Sequence, residues 1–238
     1  MDTFQMYEDI KARTNGEIYI GVVGPVRTGK STFIKRFMDV LVLPYMEDEH
    51  EKARTRDELP QSGSGKTIMT TEPKFVPKEA AVIHLQEDLN LKLRLIDCVG
   101  YMVKGATGHL EENAQRMVKT PWFEEEIPFT HAAEVGTRKV IHEHATIGIV
   151  VTTDGTITEI DREAYLEAER KTIMELQNIG KPFVVLVNSK KPYAKEAQET
   201  AGWLEETYGV RALAVNCEKL KPEDITKIME TVLYEFPV

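Results

Sequence analysis

Cysteine is nearly missing from this chain: Cys98 and Cys217 are the only two in 238 residues. Neither a disulfide framework nor a paired metal-ligand spacing follows from them, and their scarcity fits a reducing cytosol. No apolar run approaches the roughly 20 residues that cross a bilayer. The opening MDTFQMYEDIKART lacks the basic, then apolar, then small-residue order of a secretory signal. Positive charge is short as well, with 30 Lys and Arg against 39 Asp and Glu, a net charge of −9. That balance excludes a nonspecific nucleic-acid binder, whose affinity comes from a basic surface. The histidines show no zinc-protease spacing. In 142-HEH-144 two of them fall at i and i+2, which do not share a helix face, so the triplet reads as a solvated helix end. Repeats, low-complexity tracts and interdomain linkers are absent too. What remains is a soluble intracellular globular protein, long enough to bury a full core without staples.

Short apolar, β-branched runs alternate with amphipathic segments. Strands are predicted at 18–23, 80–86, 91–97, 146–152, 182–188 and 211–216, and helices at 30–42, 162–179, 194–208 and 222–236. In the second helix Tyr165, Leu166, Ile173 and Leu176 fall within an arc of about 100°, the width of a core-facing stripe. Asp161 stands where an N-cap belongs, and Gly180 and Gly209 end helices as C-terminal glycines do. This alternation predicts an α/β fold in a single domain over residues 1–238, a mostly parallel, doubly wound sheet of about six strands flanked by helices. Two stretches break the rhythm. Residues 44–79 are polar, with no clear core stripe before 75-FV-76, and residues 101–130 mix Gly, Pro and acidic residues with Trp122 and Phe123. Excursions of that length in compact domains are usually functional loops or disordered insertions, and these two read as switch-like loops. The chain stops on 234-YEFPV-238 without a polar tail, which predicts that the natural sequence continues.

The strongest signal is 24-GPVRTGKST-32, a Gly-x-x-x-x-Gly-Lys-Ser/Thr run that follows an apolar strand and opens a helix. Phosphate chemistry requires that placement. Gly24 and Gly29 let the backbone wrap closely, and successive N–H groups through Arg27 and Thr28 form an anion nest at the positive end of a helix. Lys30 reaches the β and γ phosphates, Ser31 offers its hydroxyl to Mg²⁺, and Thr32 is placed for the α-phosphate. The similar 63-GSGKT-67 is a decoy, since the first glycine of the motif would fall on Pro60 and no strand precedes it.

A second anchor is 93-LRLIDCVG-100, a strand ending in Asp-x-x-Gly. Asp97 there can hold Mg²⁺ through water, and the Gly100 N–H can meet the γ-phosphate. Between the anchors, 67-TIMTTEPKFVP-77 offers Thr70 and Thr71 as hydroxyls that close onto Mg²⁺ and the γ-phosphate, Thr71 being the metal candidate. Together these segments specify a P-loop NTPase of Ras-like architecture. In Ras-like GTPases a glutamine after Asp-x-x-Gly orients the attacking water. Here that position is Tyr101, so either another residue positions the water or assembly supplies a group in trans, and slow turnover by the isolated domain is predicted. Arg27, Arg116 and Arg138 are candidate sources of positive charge, and the sequence does not choose among them.

The base is read by the loop after the 182–188 strand. A GTPase carries Asn-Lys-x-Asp there, and the aspartate accepts from the guanine N1–H and 2-amino groups. This chain has 188-NSKK-191. Lys191 at the aspartate position sets donors against donors and disfavours guanine, whereas adenine needs no carboxylate. Asn188 begins the base loop, and the stem of Lys190 or Lys191 can pack on the base. A small-molecule P-loop kinase fits less well, because Asp-x-x-Gly behind a threonine loop belongs with hydrolases.

With these motifs placed, the chain resembles the ATPase domain of the stage IV sporulation protein A family of endospore-forming bacteria. The resemblance rests on 20-IGVVGPVRTGKSTFIKRFM-38, 57-DELPQSGSGKTIMTTEPKFVP-77, 94-RLIDCVGY-101, 120-TPWFEEEIPF-129, 134-EVGTRKVI-141, 147-IGIVVTTDGTI-157 and 231-TVLYEFPV-238. It implies an ATPase of the translation-factor-related P-loop class, with ATP and Mg²⁺ as cofactors. It further implies that hydrolysis drives polymerisation into a static shell on the outer forespore membrane, in the mother-cell cytoplasm. The family's functional residues fall on Lys30, Asp97, Thr70 and Thr71. Implied partners are further copies of the same protein, a small amphipathic forespore-membrane peptide, and coat or coat-adapter proteins, the last two in part through regions beyond this chain. The alternative is a regulatory P-loop GTPase switch with relaxed base specificity.

Overall fold

A computed structural model of the protein describes residues 3–60, 71–86, 89–106, 110–111 and 114–236. The predicted apolar runs become β1 (Glu17–Val23), β2 (Lys74–Gln86), β3 (Leu89–Asp97), β4 (Ile147–Thr153), β5 (Phe183–Asn188) and β6 (Ala212–Val215). They form one sheet in the order β6-β5-β4-β1-β3-β2. Every pairing is parallel except that of β2, which runs antiparallel to β3 at the edge. Burial follows from position in the sheet. β4 and β5 are buried along their whole length, as strands covered on both faces must be. Toward the β2 edge, β3 alternates buried and exposed residues over Leu89–Leu93.

Helices cover both faces: α1 (Thr3–Thr14), α2 (Lys30–Phe37), α3 (Glu49–Glu58), α4 (Phe129–Lys139), α5 (Leu166–Ile179), α6 (Lys195–Tyr208) and α7 (Pro222–Tyr234). On one face α1, α2 and α7 pack Ile10, Phe33 and Ile228 against Ile20, Leu93 and Ile149. On the other, α5, α6 and the turn after α4 bring Ile173, Leu204 and Ile141 against Val23, Val150 and Val185. Because side chains alternate along a strand, each inner strand feeds both clusters.

Several expectations are corrected. The helix predicted over 30–42 is α-helical only to Phe37 and continues as a π turn over Met38–Val42, before Pro44 enters a short 3₁₀ turn. The strand predicted from residue 80 begins at Lys74, with a register shift between Val76 and Ala81 where Pro77 lacks an N–H for the ladder. Within the polar 44–79 stretch lies α3, capped by Asp48, whose carboxylate accepts from the His50 and Glu51 amides. Residues 101–130 contain two-residue ladders, Leu110–Glu111 with Ala114–Gln115 and Met117–Val118 with Ile127–Pro128, and lead into α4. On α5, Leu166 is half-buried and Glu169 takes the inward place. Asp161 makes no side-chain cap, whereas Gly180 and Gly209 end α5 and α6 at positive φ as expected. The decoy 63–67 and Thr70 lie outside the described residues.

Candidate nucleotide-binding site

The sheet order places a topological switch beside β1: the chain leaves β1 for β2 and β3 on one side and returns with β4 on the other. Ligands of open α/β sheets bind at such crevices, beyond the carboxyl ends of the strands. The turn from β1 into α2 lies there. Gly24 has φ 131°, and a Cβ on it would stand 2.3 Å from the Val151 carbonyl oxygen. Gly29 has φ 98° and caps α2, where a Cβ would stand 2.3 Å from Asn188 Nδ2. Arg27 also takes a positive φ, 59°. These alternations of hand turn backbone N–H groups inward, the geometry of an anion nest.

Lys30 is buried, and its Nζ donates to the carbonyls of Pro25 at 2.6 Å and Gly24 at 3.3 Å. Burial pulls its pKa below the usual lysine value, against the opposing pull of Cys98 and Asp97. Gly100 fits only as glycine, since a Cβ would lie 2.0 Å from the Gly24 oxygen and 2.7 Å from Lys30 Nζ. The Asp-x-x-Gly backbone therefore abuts the P-loop and its lysine. Ser31 Oγ donates to Asp97 Oδ2 at 2.7 Å, and Asp97 Oδ1 is buried without a hydrogen-bond partner among the described residues. Burial raises the Asp97 pKa, with Ser31 and Lys30 opposing. A buried carboxylate oxygen left open beside a serine hydroxyl suits a hard, oxygen-seeking cation. The residues present fit Mg²⁺, with Ser31 and Asp97 to hold it. Among the described residues no cluster of three or more His, Cys, Asp or Glu offers another metal site.

Asn188 reaches the P-loop and commits both ends of its amide to protein. Nδ2 donates to the Thr28 carbonyl at 2.9 Å, and Oδ1 accepts from the Cys217 amide at 3.0 Å. Thr28 itself is buried, its hydroxyl donating to the Pro25 carbonyl. Thr32 is half-buried on the first turn of α2. Lys190 and Lys191 are exposed beyond the end of β5, and the Lys190 amide donates to Thr156 Oγ1 at 3.0 Å, joining the loops after β4 and β5. Thr71 is buried where its carbonyl meets α4; a Cβ on Gly136 would lie 2.5 Å from that oxygen.

Tyr101 turns away from the phosphate site. It is 2% exposed, and its hydroxyl donates to Glu175 Oε2 on α5 at 2.6 Å. Burial and the neighbouring carboxylate push the phenol well above its usual pKa. Arg138 pairs with the same Glu175 at 3.0 Å, and Arg116 stacks over Phe129. Of the three candidate arginines, Arg27 alone belongs to the P-loop.

The sequence profile described as "Stage IV sporulation protein A, ATPase domain" matches residues 1–237. The chain belongs to this family. It is 53% identical to stage IV sporulation protein A of Bacillus subtilis (strain 168) over 238 residues, 100% of this chain and 48% of that protein. The corresponding Clostridioides difficile (strain 630) protein is 55% identical over 233 residues, 98% of this chain and 48% of that one. The Bacillus anthracis protein is 52% identical over 238 residues, 100% and 48%. The chain thus spans about half the length of these relatives. A solved structure, a variant of SsGBP, aligns at a TM-score of 0.46 and 13% identity, covering 98% of this chain and 63% of that one, too distant to bear on function.

The residues that hold the site from behind carry no motif in the sequence. Cys98, adjacent to Asp97, sits between the Val22 carbonyl and the Thr137 hydroxyl of α4. Glu175 gathers Tyr101, Arg138 and His142. Burial alone would raise its pKa, but these hydrogen bonds and the Arg138 charge hold it below the usual carboxylate value. No motif marks Glu175, and its weak signal is one acidic residue next to the buried face of α5.

Proposed function

We propose that the domain binds ATP with Mg²⁺ and hydrolyses it slowly, and that hydrolysis drives self-assembly of the longer protein into the basement layer of the spore coat around the forespore. The observation that carries the catalytic half is the open Asp97 Oδ1 beside Ser31, at the foot of a loop that closes on a buried lysine. Lys30 exchanges the Gly24 and Pro25 carbonyls for the β and γ phosphates, whose negative charge favours the ammonium form that burial disfavours. The Gly100 N–H faces the γ-phosphate, and Thr70 and Thr71 close from the threonine loop. Mg²⁺, when bound, neutralises charge developing on the phosphates. Family membership and the resemblance noted above support the assembly half, with further copies of the protein as the first partner. A small amphipathic forespore-membrane peptide and coat or coat-adapter proteins bind in part outside this chain. No helix among the described residues is long and apolar enough to cross a membrane.

Base selection follows from the loop after β5. With Asn188 engaged by Thr28 and Cys217, guanine would need the acidic partner that Lys191 replaces. Competition between ATP and GTP tests this, followed by light scattering of the full chain with ATP. ATP is expected to win, and Lys191→Asp is expected to narrow the preference by about tenfold, the worth of a paired hydrogen bond to a charged group. Equal or tighter GTP binding by the native chain, without nucleotide-dependent assembly, would favour a regulatory GTPase switch.

A further inference from the structure

Tyr101 is held through its carbonyl, its ring and its hydroxyl. Its carbonyl accepts from the Val26 amide of the P-loop at 2.9 Å, and Pro25 and Tyr101 form a β-bridge. Its ring shares a small buried cluster with Val26, Val103, Tyr165 and Ala168. Lys171 Nζ lies 4.6 Å from the ring centroid and pairs with Glu134 of α4 at 2.7 Å. The hydroxyl ends on Glu175, whose carboxylate is already gripped by Arg138 and His142 at 3.0 and 2.9 Å. Gly100 is the next residue back along the chain. A residue whose neighbour is anchored this way has little freedom to swing when a phosphate arrives or leaves.

On the reading that this site hydrolyses a nucleoside triphosphate, we propose that Tyr101 is a positioning residue. Hydrogen-bonded to Glu175, it fixes the Gly100 N–H in its γ-phosphate-binding place before the nucleotide arrives. The position that carries the water-orienting glutamine in Ras-like GTPases is here an anchor, and the Asp-x-x-Gly turn is a rigid donor. Preorganised donors contribute most where they need not rearrange during reaction. The α4–α5 surface thereby acquires a line to the γ-phosphate: Arg138 and His142 hold Glu175, Glu175 holds Tyr101, and Tyr101 holds Gly100.

The clamp acts on the γ-phosphate alone, which separates it from a general packing role. In the full chain, Tyr101→Phe keeps the ring and deletes the hydroxyl, Glu175→Leu deletes the acceptor, and Glu175→Gln keeps an acceptor without the charge. The readout is the ratio of affinity for a non-hydrolysable ATP analogue to affinity for ADP, with kcat and KM for ATP measured alongside. Tyr101→Phe and Glu175→Leu are expected to lower the ratio about fivefold through the analogue alone, the scale of one hydrogen bond. They should lower kcat by about as much, with Glu175→Gln recovering most of both. A ratio unchanged in Tyr101→Phe overturns the proposal, and so does a parallel loss of ADP binding and melting temperature. If the native chain prefers guanine nucleotides, the ATP assignment fails, and the same ratio measured with a GTP analogue and GDP decides the clamp independently.

Discussion

Asn188 works as a bracket between three segments that meet at the nucleotide crevice. Its amide donates to the Thr28 carbonyl, accepts from the Cys217 amide, and leaves room for Gly29 only because glycine has no Cβ. Asparagine alone supplies a donor and an acceptor at this length. In Asn188→Asp a carboxylate oxygen would face the Thr28 carbonyl, so a hydrogen bond becomes a repulsion within a buried site. The expected cost is about 2–3 kcal/mol of folding stability, read as a lower urea midpoint, with weaker nucleotide binding because the P-loop loses its brace. An unchanged midpoint would mean that the loop is held elsewhere. Asp97 is the complementary case. Asp97→Asn retains an acceptor for Ser31 but removes the open carboxylate oxygen, so nucleotide binding should lose its dependence on Mg²⁺. Titrating nucleotide with and without Mg²⁺ checks this, and a surviving Mg²⁺ response would place the ion on other groups.

At the scale of elements, α4 is the backing of the threonine loop. Gly136 lets the Thr71 carbonyl and the Trp122 ring approach the helix, with an added Cβ 2.5 and 3.3 Å from them. Gly136→Ala improves intrinsic helix propensity by about 1 kcal/mol but has no space, so the loop must move. ATP turnover is expected to fall while affinity for ADP holds, and single-turnover kinetics beside ADP titration separate the two. A turnover equal to the native chain's would dissociate Thr71 from the reaction. Sequence patterns carried much of this architecture but not α4. The strands were legible because their apolar runs are continuous, and α2, α5, α6 and α7 because apolar residues recur along one face. By contrast α4, after Phe129 at its first position, buries only small residues, Ala132, Ala133, Gly136 and Thr137, which carry little hydrophobic signal. Still less legible was α3, where Thr55 is the buried residue. It is held at the sheet edge by polar contacts, Glu58 accepting from the Lys78 amide and Arg54 pairing with Glu79. At the candidate site Gly24, Gly29, Lys30, Ser31 and Asp97 were legible as motif positions, because a phosphate-binding motif has a fixed spacing. Glu175 and Cys98 were not, because a partner chosen by the fold leaves no spacing rule in the chain.

A chain with net charge −9 keeps most of its described carboxylates at least partly exposed, and among the described residues Glu169 is a fully buried one that ties layers together. It is 0% exposed on α5, accepts from the Thr152 hydroxyl of β4, and pairs with Arg162 at 2.8 Å. Arg162 in turn lies 5.7 Å from the Trp203 ring centroid on α6. One buried acidic group thus joins the helix layer to the central sheet near the end of β4, the strand beside β1. A buried ion pair adds little over an apolar substitute, but removing one partner leaves an uncompensated charge, at about 3–5 kcal/mol. Glu169→Ala should therefore lower the unfolding free energy by about that amount, read as a lower denaturant midpoint, and Arg162→Ala/Glu169→Ala should be less damaging than the sum of its single substitutions. Screening by salt is weak inside a protein, so raising NaCl to about 1 M should leave the native midpoint's dependence on this pair unchanged. A double variant that loses the full sum would show that the two side chains act separately, and that the layers are joined by apolar packing alone.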